Sequence, residues 1–125
     1  MFHHTPRILV VDDDPDIRDV ICEFLAPEGY DLRTAGSGRE AFGILGREPV
    51  DLVLTDLVMP EAEGIEIIQE IRRRFPAIKT VAMSGALFGP FLHAAELLGA
   101  NATLSKPLNS SLLRLTLQQV LTVAP

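Results

Sequence analysis

Arg7-Ile8-Leu9-Val10-Val11-Asp12-Asp13-Asp14-Pro15-Asp16-Ile17 changes character midway. Its first five residues are a short, β-branched apolar run, which predicts a strand. From Ile17 the apolar residues recur at helical spacing, as Ile17, Val20, Ile21, Phe24 and Leu25. Between the two patterns stand consecutive carboxylates. Asp14 has the side chain of an N-cap, and Pro15 suits the first helical position, where its missing N–H would be orphaned anyway. Gly29 marks the end of the unit.

The same strand-then-helix cycle recurs along the chain. Residues 30–35 read as a second strand. Ser37-Gly38-Arg39-Glu40 fits a capping box ahead of Ala41, Phe42, Ile44 and Leu45. A third strand is expected over 50–55, then a helix carrying Ile65, Ile68, Ile71 and Phe75 that Pro76 ends. Residues 79–83 give a fourth strand and about 90–98 a fourth helix. A short strand over 102–105 precedes a last helix, capped by Asn109 and running to about Val123. Five strands alternating with five helices predict an α/β fold with a parallel sheet covered on both faces. Right-handed crossovers make it doubly wound, a (βα)5 unit, and analogy with flavodoxin-like folds supplies the strand order 2-1-3-4-5.

A chain of 125 residues is the length of one domain, and 47% hydrophobic with 22% charged residues is ordinary globular composition. No apolar run is long enough to span a bilayer, and residues 1–7 contain no signal-peptide core. Residues 1–6, with His3 and His4, are expected to be a flexible tail. The lone Cys22 excludes an internal disulfide and any multi-cysteine metal site. Cytoplasmic localisation is the default reading. The net charge of −6 argues against direct binding of nucleic acid, and no membrane contact is expected. The charge is unevenly spread: residues 1–70 carry a net −11 and residues 71–125 a net +5. The acids are densest at Asp12, Asp13, Asp14, Asp16 and Asp19, so something must neutralise them or water must reach them.

In open α/β sheets, ligands bind beyond the carboxyl ends of the strands. Four of the five expected strands deliver polar groups to that edge: Asp12 and Asp13, Asp56, Ser84 and Lys106. Carboxylates brought together must either hold their protons or share a cation. An all-oxygen donor set suits Mg²⁺, with Mn²⁺ as an alternative. With a lysine and a hydroxyl added, the set could receive and hold a phosphoryl group, Asp56 acting as the nucleophile.

These motifs resemble the receiver domain of bacterial two-component response regulators. They are Ile8-Leu9-Val10-Val11-Asp12-Asp13-Asp14, Asp56-Leu57-Val58-Met59-Pro60 with Gly64, Ser84-Gly85-Ala86, and Gly99-Ala100 leading to Lys106-Pro107. The resemblance covers about residues 7–121, and implies a single receiver domain over 1–125, with no output domain visible. It implies that Asp56 is the phosphoacceptor, charged by a sensor histidine kinase or a histidine phosphotransfer protein. Asp13 would be a direct Mg²⁺ ligand, Asp12 would act through metal-bound water, and the Val58 carbonyl would complete the protein ligands. Ser84 would follow the phosphoryl group and Lys106 pair with it, before a cis Lys106-Pro107 peptide. Such a domain signals rather than turning over a substrate, assisting its own phosphorylation and dephosphorylation.

Thr103 departs from the pattern, because the family carries an aromatic ring there that turns inward on activation. Atypical switching or simple phosphate relay is therefore open. Val58 and Ala86, two residues beyond Asp56 and Ser84, cannot orient an attacking water, which predicts slow loss of the phosphoryl group. Excess leucine in the last two helices has two readings: core alone, or a face for a downstream partner or homodimer at Phe88, Phe91, Leu112 and Leu115.

Rival readings are weaker. Asp12, Asp14, Asp16 and Glu23 imitate an EF-hand loop, but Pro15 intrudes and Ile17 replaces the required glycine. An aspartate-nucleophile phosphatase wants an acid where Val58 stands. A flavin site would be repelled by the triple aspartate. Thr103 keeps open a binding module that works without phosphate. Arg72, Arg73 and Arg74 complement a helix C-terminus, and His93 reads as a surface residue.

Overall fold

The structure, a computed structural model, describes residues 4–59, 64–85, 93–96 and 98–123. Its elements are β1 (Arg7–Val11), α1 (Pro15–Leu25), a 3-10 turn (Ala26–Glu28), β2 (Asp31–Ala35), α2 (Gly38–Leu45) and β3 (Leu52–Asp56). They continue with α3 (Gly64–Arg74), β4 (Lys79–Gly85), α4 (93–96), β5 (Ala102–Lys106) and α5 (Ser110–Thr122). All strand pairs are parallel and the sheet order is β2-β1-β3-β4-β5. The doubly wound reading and its strand order therefore hold.

The apolar run of β1 serves both faces. Ile8 and Val10 join Ile21, Leu25, Leu113 and Leu117 in a core under α1 and α5. Leu9 and Val11 join Ala41, Ile44, Ile67 and Ile71 under α2 and α3. A strand buried on both sides needs no polar alternation. All five residues of β3, the central strand, are buried.

The expected caps form. The Asp14 side chain accepts from the Asp16 N–H at 2.9 Å, with Pro15 first in α1. Ser37 accepts from the Glu40 N–H at 3.1 Å, but Glu40 answers to Gly36 N–H at 3.3 Å rather than to Ser37. Asn109 accepts from the Leu112 N–H at 2.9 Å. The first helix stops at Leu25 and the 3-10 turn carries the chain to Gly29, whose φ of 73° needs glycine.

One expectation is corrected. β3, β4 and β5 reach Asp56, Gly85 and Lys106, beyond the expected ends at Thr55, Met83 and Ser105. The ladder pairs Asp56 with Met83, Ser84 with Ser105 and Gly85 with Lys106, because backbone pairing is indifferent to side-chain polarity. Asp56, Ser84 and Lys106 thus stand on ladder backbone, while Asp12 and Asp13 follow β1 in a loop. His4 Nε2 lies 3.2 Å from the Asp51 carboxylate, and the Pro6 carbonyl accepts from Asp31 N–H at 3.0 Å. Among the described residues, no helix is long and apolar enough to cross a membrane.

Candidate functional site

Parallel pairing of β1 with β3 and β3 with β4 brings the strand ends to one edge. Asp12 follows β1 and is 1% exposed; Asp56 closes β3 and is 7% exposed. Asp13 is open to solvent. One carboxylate oxygen from each of the three lies within 4.8 Å of the others. From β5, Lys106 Nζ reaches Asp12 Oδ2 at 2.8 Å and Asp56 Oδ2 at 3.3 Å. Asp56 Oδ1 accepts the Val58 N–H at 3.3 Å. The Lys106–Pro107 peptide is cis, as the resemblance implies.

The electrostatics follow from burial. Desolvation pushes the Asp56 carboxyl above its usual range, and the Asp12 charge pushes the same way, against Lys106 and the Val58 N–H. Burial works against the Lys106 ammonium, but the Asp12 hydrogen bond and the charges of Asp56 and Asp12 outweigh it and raise its pKa. Three carboxylates face one ammonium, so negative charge is left over. The donors are all oxygen, two buried and one exposed, which fits a small hard divalent cation that keeps part of its water.

Gly64 shows why the start of α3 can sit so close to the end of β3. A Cβ there would come within 2.1 Å of the Asp56 carbonyl oxygen and 2.4 Å of Leu57 Cα. Its N–H donates to the Leu57 carbonyl at 3.0 Å, fastening the start of α3 to the end of β3.

Ser84 Oγ is fully buried and has no hydrogen-bond partner among the described residues. A buried hydroxyl without a partner is costly, so it calls for an acceptor. Thr103 is not gathered into the carboxylate group; its hydroxyl donates to Glu96 Oε1 on α4 at 3.2 Å. Val58 is 37% exposed and apolar beside Asp56. Leu112 and Leu115 are 52% and 50% exposed, while Leu113, Leu117 and Leu121 fill the core, so α5 does carry a second apolar stripe. Phe88, Phe91 and Ala86 lie outside the described residues. His93 is exposed. Burial, with the Asp19 charge, pushes the Cys22 thiol up, away from a reactive thiolate.

Two features escaped the sequence. Arg18 Nη1 donates to the Asp12 carbonyl at 2.6 Å, though in sequence it is one more polar residue on an amphipathic helix. A shallow apolar depression of about 170 Å³ lies beside Lys106, lined by Ile17, Val20, Phe24, Pro107 and Leu108. Only the packing of α1 against the segment after β5 creates it.

A family model described as the response regulator receiver domain matches residues 8–118. The transcriptional regulatory protein GlrR of Escherichia coli (strain K12) is 35% identical over 113 residues, 90% of this chain and 26% of that protein. The response regulator protein PilR of Pseudomonas aeruginosa is 39% identical over 110 residues, 86% of this chain and 24% of that protein. The chain thus spans about a quarter of the length of these relatives. An uncharacterized 14.6 kDa protein of Leptolyngbya boryana is 36% identical over 121 residues, 94% of this chain and 92% of that one. Among solved structures, a CheY-like response regulator receiver domain protein from Methanospirillum hungatei JF-1 superposes with a TM-score of 0.88 at 29% identity, covering 94% of each chain. The receiver domain of NtrX from Brucella abortus gives 0.87 at 32% identity, covering 94% of this chain and 99% of that one.

Proposed function

The chain belongs to the response regulator receiver domain family, which serves two-component phosphorelay signalling, and we propose that Asp56 is its phosphoacceptor. The observation that carries this reading is the joint placement of Asp12, Asp13, Asp56 and Lys106 at one sheet edge. The donor is a phosphohistidine on a sensor histidine kinase or a histidine phosphotransfer protein. An Asp56 carboxylate oxygen forms a bond to phosphorus as the phosphorus–nitrogen bond of the donor breaks. The imidazole leaves with that electron pair and takes a proton from water.

Asp13 and Asp56 would hold Mg²⁺ directly, with the Val58 carbonyl; Asp12 would act through its water. Mn²⁺ would serve in its place. When bound, the ion would offset the charge of the phosphoryl oxygens during transfer. Lys106 supplies the second positive charge from a ladder position, so it is in place before the donor arrives. Ser84 Oγ, buried and unpartnered among the described residues, is the donor a phosphoryl oxygen would satisfy. The site fits acceptance and storage of phosphate, and the chain acts as one receiver unit in the cytoplasm.

The donor must approach this edge to reach Asp56. The apolar depression beside Lys106 offers it a surface that costs little to desolvate. Output cannot use a ring at position 103. The Thr103 hydroxyl ties β5 to α4 instead, and Leu112 and Leu115 offer a face to a protein partner or second copy.

Incubation with acetyl phosphate and Mg²⁺, read by intact-mass spectrometry, should show one added phosphoryl group. A chelator should abolish it. An uptake indifferent to Mg²⁺, or no uptake by a chain that binds Mg²⁺ and is offered a phosphorylated donor, would remove this reading. Phosphoryl lifetime is a second test. Val58→Asn puts an amide where a water could be oriented, and loss of phosphate is expected to speed up roughly tenfold. An unchanged half-life would show that Val58 does not set it.

A further inference from the structure

Asp12 is held at every hydrogen-bonding group it has. Its N–H donates to the Ala35 carbonyl at 3.1 Å, Oδ1 accepts from the Asp14 N–H at 3.0 Å, and Oδ2 accepts from Lys106 at 2.8 Å. Its carbonyl accepts from Arg18 Nη1 at 2.6 Å. Asp13 is the opposite. Its carboxylate is exposed and is engaged by no donor among the described residues, yet it lies within the three-acid group.

Arg18 resolves this contrast. Its side chain holds the Asp12 carbonyl, and its backbone N–H donates to the Asp14 carbonyl at 3.1 Å. The second is the first helical bond of α1, which any residue at position 18 makes, so what the arginine side chain adds is the hold on the Asp12 carbonyl. A peptide unit is planar, so fixing the Asp12 carbonyl also fixes where Asp13 Cα stands. The guanidinium is itself backed by the end of β2. A Cβ on Gly36 would lie 3.1 Å from Arg18 Nη1, so the group rests on bare backbone. The planar fork of arginine keeps its direction once packed in this way.

We propose that Arg18 is a positioning residue, which sets the Asp13 carboxylate beside Asp12 and Asp56 for a divalent cation. This rests on the reading of the three acids as a metal site. Charge and positioning make opposite predictions here. Removing a cation from beside an acidic cluster should tighten Mg²⁺ binding if charge alone acts. Loss of positioning should weaken it.

The test is calorimetric titration with Mg²⁺ at fixed ionic strength, on the wild type, Arg18→Met and Arg39→Met. Arg39 is exposed and removes an equal charge. Arg18→Met is expected to raise the Mg²⁺ dissociation constant about tenfold, as loss of an outer-shell partner does, while Arg39→Met does not weaken binding. Thermal unfolding without metal establishes that each variant is folded. Unchanged or tighter binding in folded Arg18→Met overturns the proposal, as does equal weakening in Arg39→Met. Should Arg18→Met not fold, Arg18→Lys keeps the charge and loses the fork, and unchanged binding in that variant overturns it. A wild type that binds no Mg²⁺ sinks the metal-site reading itself, a different result.

Discussion

Asp56→Asn is expected to take up no phosphoryl group from acetyl phosphate and Mg²⁺, and at neutral pH to unfold at a higher temperature than the wild type. The first half follows from chemistry, because an amide is no nucleophile toward phosphorus and no other carboxylate replaces it. Asp12 is spent on Lys106 and the Asp14 N–H, and Asp13 stands at the exposed rim. The second half follows from burial. Desolvation, with the nearby Asp12 charge, raises the Asp56 pKa in the folded state. A carboxyl with a raised folded pKa binds its proton more tightly folded than unfolded. Its charge therefore weakens the fold as pH rises from the ordinary carboxylate range through the raised value. Above that window the wild type carries the full cost and the amide carries none. Lys106 keeps Asp12 as a partner in the variant, so no buried cation is stranded.

Mg²⁺ should reverse the order. A ligand that binds only the folded chain stabilises it by about 2.7 kcal/mol at a hundredfold excess over its dissociation constant. The wild type should gain most of this and Asp56→Asn little. Unfolding curves with Mg²⁺ and with chelator, at pH 5 and pH 8, check both parts. A variant less stable than the wild type at pH 8 without metal would show that Asp56 is satisfied by something other than the cation.

Gly64→Ala should lower the unfolding temperature by roughly 10 °C and nearly eliminate phosphate uptake. The Cβ would meet backbone, the Asp56 carbonyl at 2.1 Å and Leu57 Cα at 2.4 Å, and no flexible side chain can yield. Such overpacking costs about 3 kcal/mol, which in a chain of this size corresponds to that fall. Relief requires α3 to move from the end of β3, carrying the Gly64–Leu57 hydrogen bond with it. That displaces the backbone bearing Asp56, so Mg²⁺ binding should fall with stability. Gly43→Ala is the control, since a Cβ there meets only the Arg47 guanidinium at 3.5 Å, and helix propensity favours alanine. Wild-type stability in Gly64→Ala would mean the close approach is not what fastens α3.

Much of this site was legible in the sequence for a local reason. A strand reads from its apolar run, its end from the polar residue that follows, and a helix start from its cap; each depends on neighbours along the chain. Asp14, Ser37 and Asn109 cap the helices that their own positions announce. Parallel strands all end at the same edge, so naming the strand-end residues also named Asp12, Asp13, Asp56, Ser84 and Lys106. The ladder register extended three of those strands past their apolar letters, since a hydrogen-bonded backbone does not consult its side chains.

The order of residue types along the chain is enough to dictate the alternation that makes the doubly wound sheet and the set of groups at its edge. Tertiary structure alone decided which atoms meet. Lys106 takes Asp12 closely and Asp56 less so, across 94 residues of chain, because sheet register fixes where β5 ends relative to β1 and β3. Packing separates Leu112 and Leu115 on the surface from Leu113 and Leu117 in the core, and gives Thr103 to Glu96. It also lays Arg18 across the loop that carries Asp13. A pattern of residue types records which side chains are apolar or charged, whereas a partner at a distance depends on how far and at what angle two elements approach.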